Sequence, residues 1–374
     1  MPIPRIAHLA AGAASLLVLV LAPARLLANA FLQTNLVSDM PGFAAFTDPN
    51  LINPWGVSHS GTSPTWVSDQ GTGLATLYIG TGAPQALVVT IPGGTGPNAG
   101  PTGQVFNTTA SSFGLSDGAK ATFLFANLNG TISGWNGAAG TTALNAVTTT
   151  GASYTGLALA SVSSANYLYA TNVNGTVRVF DSSFADVTGT TFSGKFVDST
   201  LPAGFFPYNV QLIGSNLYVV YATFDAMGNE KPGGYVDEYD TSGNFIRRVA
   251  GGSPLDGPWG IALAPSTFGD FGNDFLVGNV ASGQIDAFSQ TGLFLGALDS
   301  PGGSPIVNDA LWSLDFRTGG TGFNTNALYI TAGLSDEEHG LYAEILPTPE
   351  PSPLILVGMG LLALTAFRLR PHQA

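Results

Sequence analysis

The sequence predicts an all-β fold, and in particular a six-bladed β-propeller. The chain has 49 glycines in 374 residues and is also rich in serine, threonine and asparagine, which is typical of short strands joined by tight turns. Between residues 31 and 349, no long stretch repeats apolar residues at helical spacing. Instead, a short motif recurs along the chain, and each copy is followed by a similar series of strands and turns.

The recurring motif places an aromatic residue next to a glycine or another small or polar residue. It reads Asn-Pro-Trp-Gly-Val at 53–57 and Gly-Pro-Trp-Gly-Ile at 257–261. A third copy lies at 310–314, and looser copies lie at 154–158 and 206–210. The last four copies in chain order begin roughly 50 residues apart, which is the length of a propeller blade.

Further strands follow each copy of the motif. In one unit, a second strand at 167–171 is followed by an Asn-Val-Asn-Gly turn and an alternating third strand at 176–180. Fourth strands are expected at 244–249 and 293–298 in other units. Four short strands joined by hairpins make one blade.

The blade count depends on the stretch from 93 to 153, which fits the repeat less well. Its second strand and turn lie at 123–130 and its third strand at 131–135, so its first strand must lie at 103–108. Counting this unit gives six blades, with seven as the alternative.

Ring closure is predicted from the two ends of the repeat region. The last unit has strands at 312–316, 327–331 and 340–346, but no fourth strand before Pro347. The alternating segment 31–38 precedes the first blade without a unit of its own. We predict that it completes the last blade and closes the ring, because closure removes exposed sheet edges.

The first 30 residues have the three parts of a secretory signal peptide. Arg5 precedes an apolar run at 9–22, and Ala28 and Ala30 form an A-x-A cleavage site. A membrane anchor would need a longer run of about 20 apolar residues. The mature chain is therefore expected to begin at Phe31.

The last residues have the organisation of a cleavable sorting tail. A polar linker, an apolar run at 354–367 and a basic end follow one another, and this order parallels anchor signals that are removed after export. Positive charge after the run keeps that end in the cytoplasm. The predicted organisation is a signal peptide at 1–30, a propeller at 31–347 and a sorting tail with a transmembrane segment at 348–374. The sorting residues are Pro349, Glu350, Pro351, Arg368 and Arg370.

This tail resembles the PEP-CTERM signal of Gram-negative bacteria, although Leu369 and Pro371 interrupt the terminal arginines. The resemblance implies processing by an exosortase after transient inner-membrane anchoring. It also implies a final place at the cell surface or outside the cell, and a link with exopolysaccharide and the biofilm matrix. The body, at 257–265 and 268–279 above all, resembles an uncharacterised family of PEP-CTERM propellers distantly similar to NHL-type propellers. That second resemblance implies fold and location only.

Charge and cysteine content exclude several function classes. Acidic residues outnumber basic ones by 24 to 11, for a formal net charge of −13. Such a chain would be repelled by nucleic acid and by anionic membranes, so neither is expected as a partner. The chain has no cysteine, which excludes disulfides, thiol catalysis, iron–sulfur clusters and cysteine-bound zinc.

Two loops and two histidines are candidates for a metal or acid–base site. The loops are rich in oxygen atoms of the kind that bind calcium. Neither loop matches a calcium-loop template, and this mismatch favours the interpretation that both are solvated turns. No cofactor is predicted, and calcium is the one left open. His59 and His339 belong to neighbouring blades of a closed ring. They could form a shared metal or acid–base site, and the alternative is that they are two separate surface residues. The loop residues are Asp225, Asn229, Glu230, Asp270, Asn273 and Asp274.

Trp55, Trp259 and Trp312 recur at the first strand of their units, which is the innermost strand of a blade. Such repeated inward positions favour a role in packing the blades, with sugar stacking as the alternative. No G-x-S-x-G, H-E-x-x-H or phosphate-loop motif occurs. The sequence therefore favours an exported, non-enzymatic surface or matrix protein that binds polysaccharide or another protein. The alternative is a hydrolase or lactonase with a calcium site at the central channel, which four or more carboxylate or amide side chains at one mouth would favour.

Overall fold

The computed structural model describes residues 30–96 and 98–348. The predicted signal peptide, apart from Ala30, and all the predicted sorting residues lie outside this part of the chain. Within the described ranges, no helix has the length and apolar character needed to cross a membrane.

The described chain folds into six small sheets, one for each blade, which are antiparallel except for one short parallel pair in the last blade. Strands are numbered in chain order. Blade 1 contains β3 (Pro54–Ser58), β4 (Thr65–Asp69), β5 (Leu74–Tyr78) and β6 (Val89–Thr90). Blade 2 contains β7 (Pro101–Phe106), β8 (Phe123–Asn127), β9 (Thr131–Trp135) and β10 (Leu144–Thr148). Blade 3 contains β11 (Tyr154–Val162), β12 (Ala165–Asn172) and β13 (Val177–Phe180).

The second half of the ring continues the same pattern. Blade 4 contains β14 (Phe206–Ile213), β15 (Asn216–Ala222), β16 (Tyr235–Asp240) and β17 (Phe245–Gly251). Blade 5 contains β18 (Pro258–Leu263), β19 (Phe275–Asn279), β20 (Ile285–Phe288) and β21 (Phe294–Ala297). Blade 6 contains β22 (Leu311–Phe316), β23 (Leu328–Ala332) and β24 (Leu341–Pro347), joined by β1 (Phe31–Ser38) and β2 (Phe46–Thr47) from the chain start. Short helical turns occur at Gly137–Ala139, Gly269–Phe271 and Leu334–Glu337.

The first strands of the blades surround a central axis. Strand β3 contacts β7, and the contacts continue through β11, β14, β18 and β22 back to β3. This closed series confirms the six-bladed propeller. The last blade is completed by β1, which pairs antiparallel with β24 so that Phe31 lies opposite Pro347 and Ser38 opposite Leu341. The predicted closure by the segment 31–38 is therefore confirmed.

Two blades differ in detail from the sequence prediction. The first strand of blade 2 is Pro101–Phe106 rather than 103–108, because Pro-Thr-Gly at 101–103 takes the place that Pro-Trp-Gly takes in blade 1. Blade 3 has three strands. At its outer edge, Val179 N–H donates to the hydroxyl of Thr188 at 2.9 Å, so a side chain replaces the backbone acceptor that a fourth strand would offer.

The apolar core is divided among the gaps between blades. Six clusters of buried side chains each join two neighbouring blades, and the pair formed by blades 6 and 1 includes Leu36 and Val37 of β1. A seventh cluster contains side chains from blades on opposite sides of the ring. The last cluster lies on the axis and forms the floor of the candidate site.

Candidate functional site

The inner strands begin with a shared backbone shape. The residue two positions before the motif's aromatic, or its equivalent, has a left-handed φ in four blades: Asn53 (43°), Gly100 (92°), Gly257 (61°) and Ala310 (44°). A register shift then follows near the start of each inner strand. Such bulges re-aim side chains at the rims of closed sheets. Here they turn the first side chains of the inner strands toward the axis.

Neighbouring inner strands approach each other very closely just after this point. A Cβ at Gly56 would overlap the carbonyl oxygen of Thr102 in the next blade, which explains the glycine of the motif. Where blade 6 has Ser313 instead, its hydroxyl donates to the carbonyl oxygen of Trp55 at 2.7 Å. In blade 4, Asn209 Nδ2 donates to the carbonyl oxygen of Trp259 at 2.9 Å. The blades are thus hydrogen-bonded to one another around the axis.

Four aromatic side chains meet on the axis, and we call Trp55, Tyr208, Trp259 and Trp312 the axial aromatic cluster. The rings of Trp55 and Trp312 stack with centroids 3.5 Å apart. Trp259 meets Trp55 and Trp312 edge-on, at 6.0 and 5.8 Å. Trp55 and Tyr208 belong to opposite blades, yet their centroids are 6.2 Å apart. The cluster therefore closes this end of the channel, and its four members are buried.

A cavity of about 310 Å³ lies over this cluster; we call it the aromatic mouth. A neighbouring depression of about 520 Å³ shares residues 228–230 and Glu337 with it. No Lys, Arg or His is among the described residues that line either space. The aromatic mouth is lined by Trp55, Gln70, Leu128, Thr155, Val173, Tyr208, Phe224, Gly228, Asn229, Glu230 and Glu337.

Glu230 and Tyr208 form a hydrogen-bonded pair in the mouth. The Tyr208 hydroxyl donates to Glu230 Oε1. Burial raises the pKa of Glu230, and the hydrogen bond from Tyr208 opposes that rise. Burial and then the charge of Glu230 raise the pKa of the Tyr208 phenol well above its usual value. The hydroxyl thus stays protonated and remains a donor.

Glu337 reaches the same mouth from blade 6. Its side chain is exposed to the solvent of the cavity, although protein surrounds it on most sides. This burial raises the pKa of Glu337, and the charge of Glu230 raises it further. Asn53 Nδ2 donates to Glu337 Oε2 at 2.6 Å, while Asn53 Oδ1 accepts from Trp312 Nε1 at 3.0 Å. The carboxylate is therefore held by an amide that also holds the axial cluster.

The turn that presents Glu337 has unusual backbone geometry. Ser335, Asp336 and Glu337 have φ values of 54°, 56° and 66°. The left-handed region costs a non-glycine residue about 1–2 kcal/mol. Such strain persists only where the surrounding structure fixes it, and it is found most often at functional sites.

The axial cluster holds two hydrogen-bond donors without acceptors. Trp55 Nε1 and Trp259 Nε1 are buried and have no partner among the described residues. A buried donor left unpaired costs about 1–3 kcal/mol. Trp55 also lines the aromatic mouth, but its Nε1–H is enclosed by protein and is not exposed to the cavity.

The structure separates the two predicted acidic loops. Asp225 and Asn229 lie at the aromatic mouth's end of blade 4, where Asp225 accepts from Met227 N–H and Asn229 N–H in a closed turn. The other loop, from 269 to 274, joins the far ends of β18 and β19. In residues 30–96 and 98–348, no three His, Asp or Glu side chains are placed to hold a metal together. Of the six predicted loop residues, Asn229 and Glu230 line the aromatic mouth.

The two histidines lie at opposite ends of the ring and pair with different aspartates. His339 Nδ1 contacts Asp39 Oδ2 at 2.6 Å near the start of β24, close to the aromatic mouth. His59 Nε2 contacts Asp315 Oδ2 at 3.2 Å beyond the end of β3. His59 and Asp315 line a second cavity, of about 240 Å³, at the opposite mouth. The structure does not bring the histidines into one site.

Sequence reasoning missed most of the lining of the aromatic mouth, including Gln70, Tyr208 and Glu337. Tyr208 was within a recognised motif copy, and its alignment with Trp55 and Trp259 was the available signal. Glu337 lies in an acidic turn that the sequence presents as merely solvated, and Gln70 carries no local signal. Only the closed ring brings these residues together.

Acceptors dominate the chemistry of the mouth. Carboxylates and amides surround an aromatic floor. This set suits a ligand with hydroxyl groups or a positive charge, because hydroxyls pair with carboxylates and cations are drawn to aromatic faces. An anionic ligand would be repelled.

Fold and site define a six-bladed β-propeller whose channel is closed at one end by aromatic side chains beneath an acidic cavity. No family model matches the chain. It is 30% identical to the uncharacterised protein R648 of Acanthamoeba polyphaga mimivirus over 321 residues, 83% of this chain and 78% of the viral protein. The chain therefore belongs to the same family as that protein. The uncharacterised mimivirus protein L690 is 29% identical over 293 residues, 75% of this chain and 77% of L690.

Solved structures are similar in fold. A protein of unknown function from Bacteroides thetaiotaomicron VPI-5482 matches with a TM-score of 0.51 and 10% identity, over 84% of this chain and 76% of that one. Streptogramin B lyase matches with a TM-score of 0.47 and 11% identity, over 86% of this chain and 99% of the lyase. At such identities the similarity concerns architecture, and the lyase's activity is not carried over.

Proposed function

We propose that this protein is an exported binding module that takes a polysaccharide at the aromatic mouth without transforming it. The observation that carries the proposal is the combination of an aromatic floor with carboxylate and amide acceptors in one cavity of about 310 Å³, which is ligand-sized. Sugars offer apolar ring faces for aromatic contact and hydroxyls for carboxylates.

The charge of the mouth narrows the class of polysaccharide. Glu230 and Glu337 face the cavity, and no basic residue among the described lining balances them. A uronic-acid polymer would bring like charges together. Neutral sugars or amine-bearing sugars fit, and an ammonium group would also relieve the charge of the two glutamates.

Location forms part of the same proposal. The signal-peptide pattern at 1–30 and the likeness of 349–374 to a PEP-CTERM tail support export, transient inner-membrane anchoring and exosortase processing. A protein sorted in this way would reach the cell surface or the matrix, where exopolysaccharide is abundant. Mass spectrometry of surface-released protein should find a chain that begins at Phe31 and lacks the run 354–367. Recovery of the intact tail from an exosortase-positive host would reject the sorting proposal.

A glycan array tests the binding proposal. The purified protein should bind neutral or amino glycans and ignore uronic-acid glycans. Salt should weaken binding to amino glycans and leave binding to neutral glycans nearly unchanged, because salt screens only charge–charge attraction. Binding confined to uronic-acid glycans, or no binding to any glycan class, would reject it.

A hydrolase or lactonase is the second candidate, and one observation favours it. Four carboxylate or amide side chains, those of Gln70, Asn229, Glu230 and Glu337, line one mouth. Both glutamates have a pKa raised by burial, and carboxyls with a perturbed pKa in a cavity are candidates for acid–base chemistry. Turnover of a lactone or glycan panel that is lost in Glu230→Gln and Glu337→Gln, but kept in the exposed-site variant Asp117→Asn, would favour this candidate over simple binding.

A further inference from the structure

A second group of oxygen-bearing side chains is buried inside the ring and lines neither mouth. Asp69 ends β4, Thr76 lies in β5, and Asp48 lies in the segment between β2 and β3. Thr76 pairs in register with Val67, two residues before Asp69, so the side chains of Thr76 and Asp69 project from the same face of blade 1. On that face the Tyr78 hydroxyl donates to Asp48 Oδ2 at 3.0 Å.

Three oxygen atoms in this group have no hydrogen-bond partner. Asp69 is completely buried, and neither of its carboxylate oxygens is paired. The buried hydroxyl of Thr76 is also unpaired. Burial raises the pKa of Asp69, the nearby hydroxyl and backbone N–H of Thr76 oppose that rise without reaching full hydrogen-bond geometry, and the charge of Asp48 adds to it. The three side chains are thus near neighbours.

The charge of these carboxylates is not balanced by the protein. No Lys, Arg or His of the described ranges forms an ion pair with Asp48 or Asp69. A buried carboxylate without a partner is strongly unfavourable, so such a group takes up a proton, pairs with a cationic side chain or binds a metal ion. Asp69 has two free oxygens and no counter-charge.

We propose that a calcium ion binds between Asp48 and Asp69, with the hydroxyl of Thr76 as a further ligand. The donor set is oxygen only, which suits a hard cation, and two carboxylates match a divalent charge. Calcium accepts six to eight oxygens in irregular arrangements, whereas magnesium requires a near-ideal octahedron. Backbone carbonyls or water would supply the remaining ligands. This site differs from the loops 224–230 and 268–274.

The position of the site gives the ion a structural role in ring closure. Tyr78, which holds Asp48, stacks on Tyr342 of blade 6 with centroids 5.6 Å apart. Asp48 N–H donates to the carbonyl oxygen of Ser38, the last residue of β1, at 3.0 Å. The ion would therefore tie blade 1 to the strand that closes the ring.

The test is the melting temperature of the purified protein in EDTA and after addition of calcium chloride. We expect EDTA to lower the Tm and excess calcium to restore it, with a heat of binding in calorimetry. Asp69→Asn keeps the shape but removes the charge, and should lose both the shift and the heat. Thr76→Val should keep the fold and bind calcium more weakly. If Asp69→Asn fails to fold, the measurements on wild type and Thr76→Val still decide whether calcium binds at this site.

Asp286→Asn is the matched control, because Asp286 is a buried aspartate of blade 5. It should keep the full calcium-dependent shift. A wild-type Tm that responds neither to EDTA nor to calcium would overturn the proposal. An equal calcium response in wild type and a folded Asp69→Asn would also overturn it, because the ion would then bind elsewhere.

Discussion

At the scale of single residues, the axial aromatic cluster packs side chains from several blades together and forms the floor of the aromatic mouth. Trp259 is 3% exposed and meets Trp55 and Trp312 edge-on, which favours packing. Trp55 is 5% exposed but also lines the aromatic mouth, which favours a contact between its ring and the ligand. The two roles predict different results for different tryptophans.

Replacing Trp259 by alanine should lower stability strongly. Loss of buried aromatic area and the cavity left behind typically cost about 3–5 kcal/mol. The measurement is the free energy of unfolding from chemical denaturation. Leu293→Ala removes an apolar side chain that is 66% exposed and should have little effect. Unchanged stability together with lost glycan binding in Trp259→Ala would assign this tryptophan to the ligand site instead.

Asp286 should make the fold less stable as pH rises. Burial raises its pKa from 3.8 to about 6, although Asn279 Nδ2 donates to it at 2.8 Å. The folded state therefore holds the Asp286 proton more tightly than the unfolded state does. The contribution of Asp286 to the free energy of unfolding consequently falls as pH rises from about 4 to 6. The free energy of unfolding of Asp286→Asn should rise relative to that of wild type by about 2 kcal/mol between pH 4 and pH 7.

Denaturation at several pH values measures this difference. The variant Asp117→Asn changes an exposed carboxyl whose pKa is lowered by the backbone N–H of Ala119, so it should show no such gain. A difference between wild type and Asp286→Asn that stays constant over this range would contradict the raised pKa.

At the scale of the elements, the inner strand is the unit that repeats. Three features occupy the same places in the inner strands of most blades: a residue with left-handed φ, an aromatic or threonine side chain, and a small residue. The motif could be recognised in the sequence because the backbone geometry of the inner strand explains each of its parts. Blade 2 was harder to place because Thr102 stands where tryptophan is expected, and the strand was predicted two residues late.

The close approach of inner strands predicts a sharp difference between two glycines. Gly56→Ala should destabilise the fold, because the added methyl overlaps the carbonyl oxygen of Thr102, and this backbone is fixed by the next blade. Gly61→Ala adds the same group where nothing lies within 4 Å. A melting temperature for Gly56→Ala equal to that of Gly61→Ala would show that the strands can separate at no cost.

At the scale of the whole molecule, the fold was predictable and most of the site was not. Repeats and the missing fourth strand of blade 6 are properties of the chain order, so six blades and closure by 31–38 could be predicted. The mouth depends on which residues face the axis from different blades. Gln70, Tyr208 and Glu337 are separated by more than 100 residues along the chain, and only the closed ring places them around one cavity.

Deleting residues 31–38 should weaken the ring as a whole. The deletion removes Phe31, Leu36 and Val37 from two inter-blade clusters and exposes the edge of β24, whose free N–H and C=O groups favour aggregation. Thermal melting followed by light scattering measures both effects. Leu32→Ala changes an exposed side chain of the same strand and should behave as wild type. A truncated protein that melts like the full chain would contradict closure by β1.

Binding of the ligand at the aromatic mouth is tested most directly by calorimetric titration of matched variants. The titrant is an uncharged glycan that binds the wild-type protein on the array. Glu337→Gln should weaken its binding about tenfold or more, because a charge-assisted hydrogen bond contributes about 1.5–3 kcal/mol. Asp315→Asn, at the opposite mouth, should bind as wild type. Normal binding by Glu337→Gln together with lost binding by a folded Asp315→Asn would place the site at the other end of the ring and contradict the account.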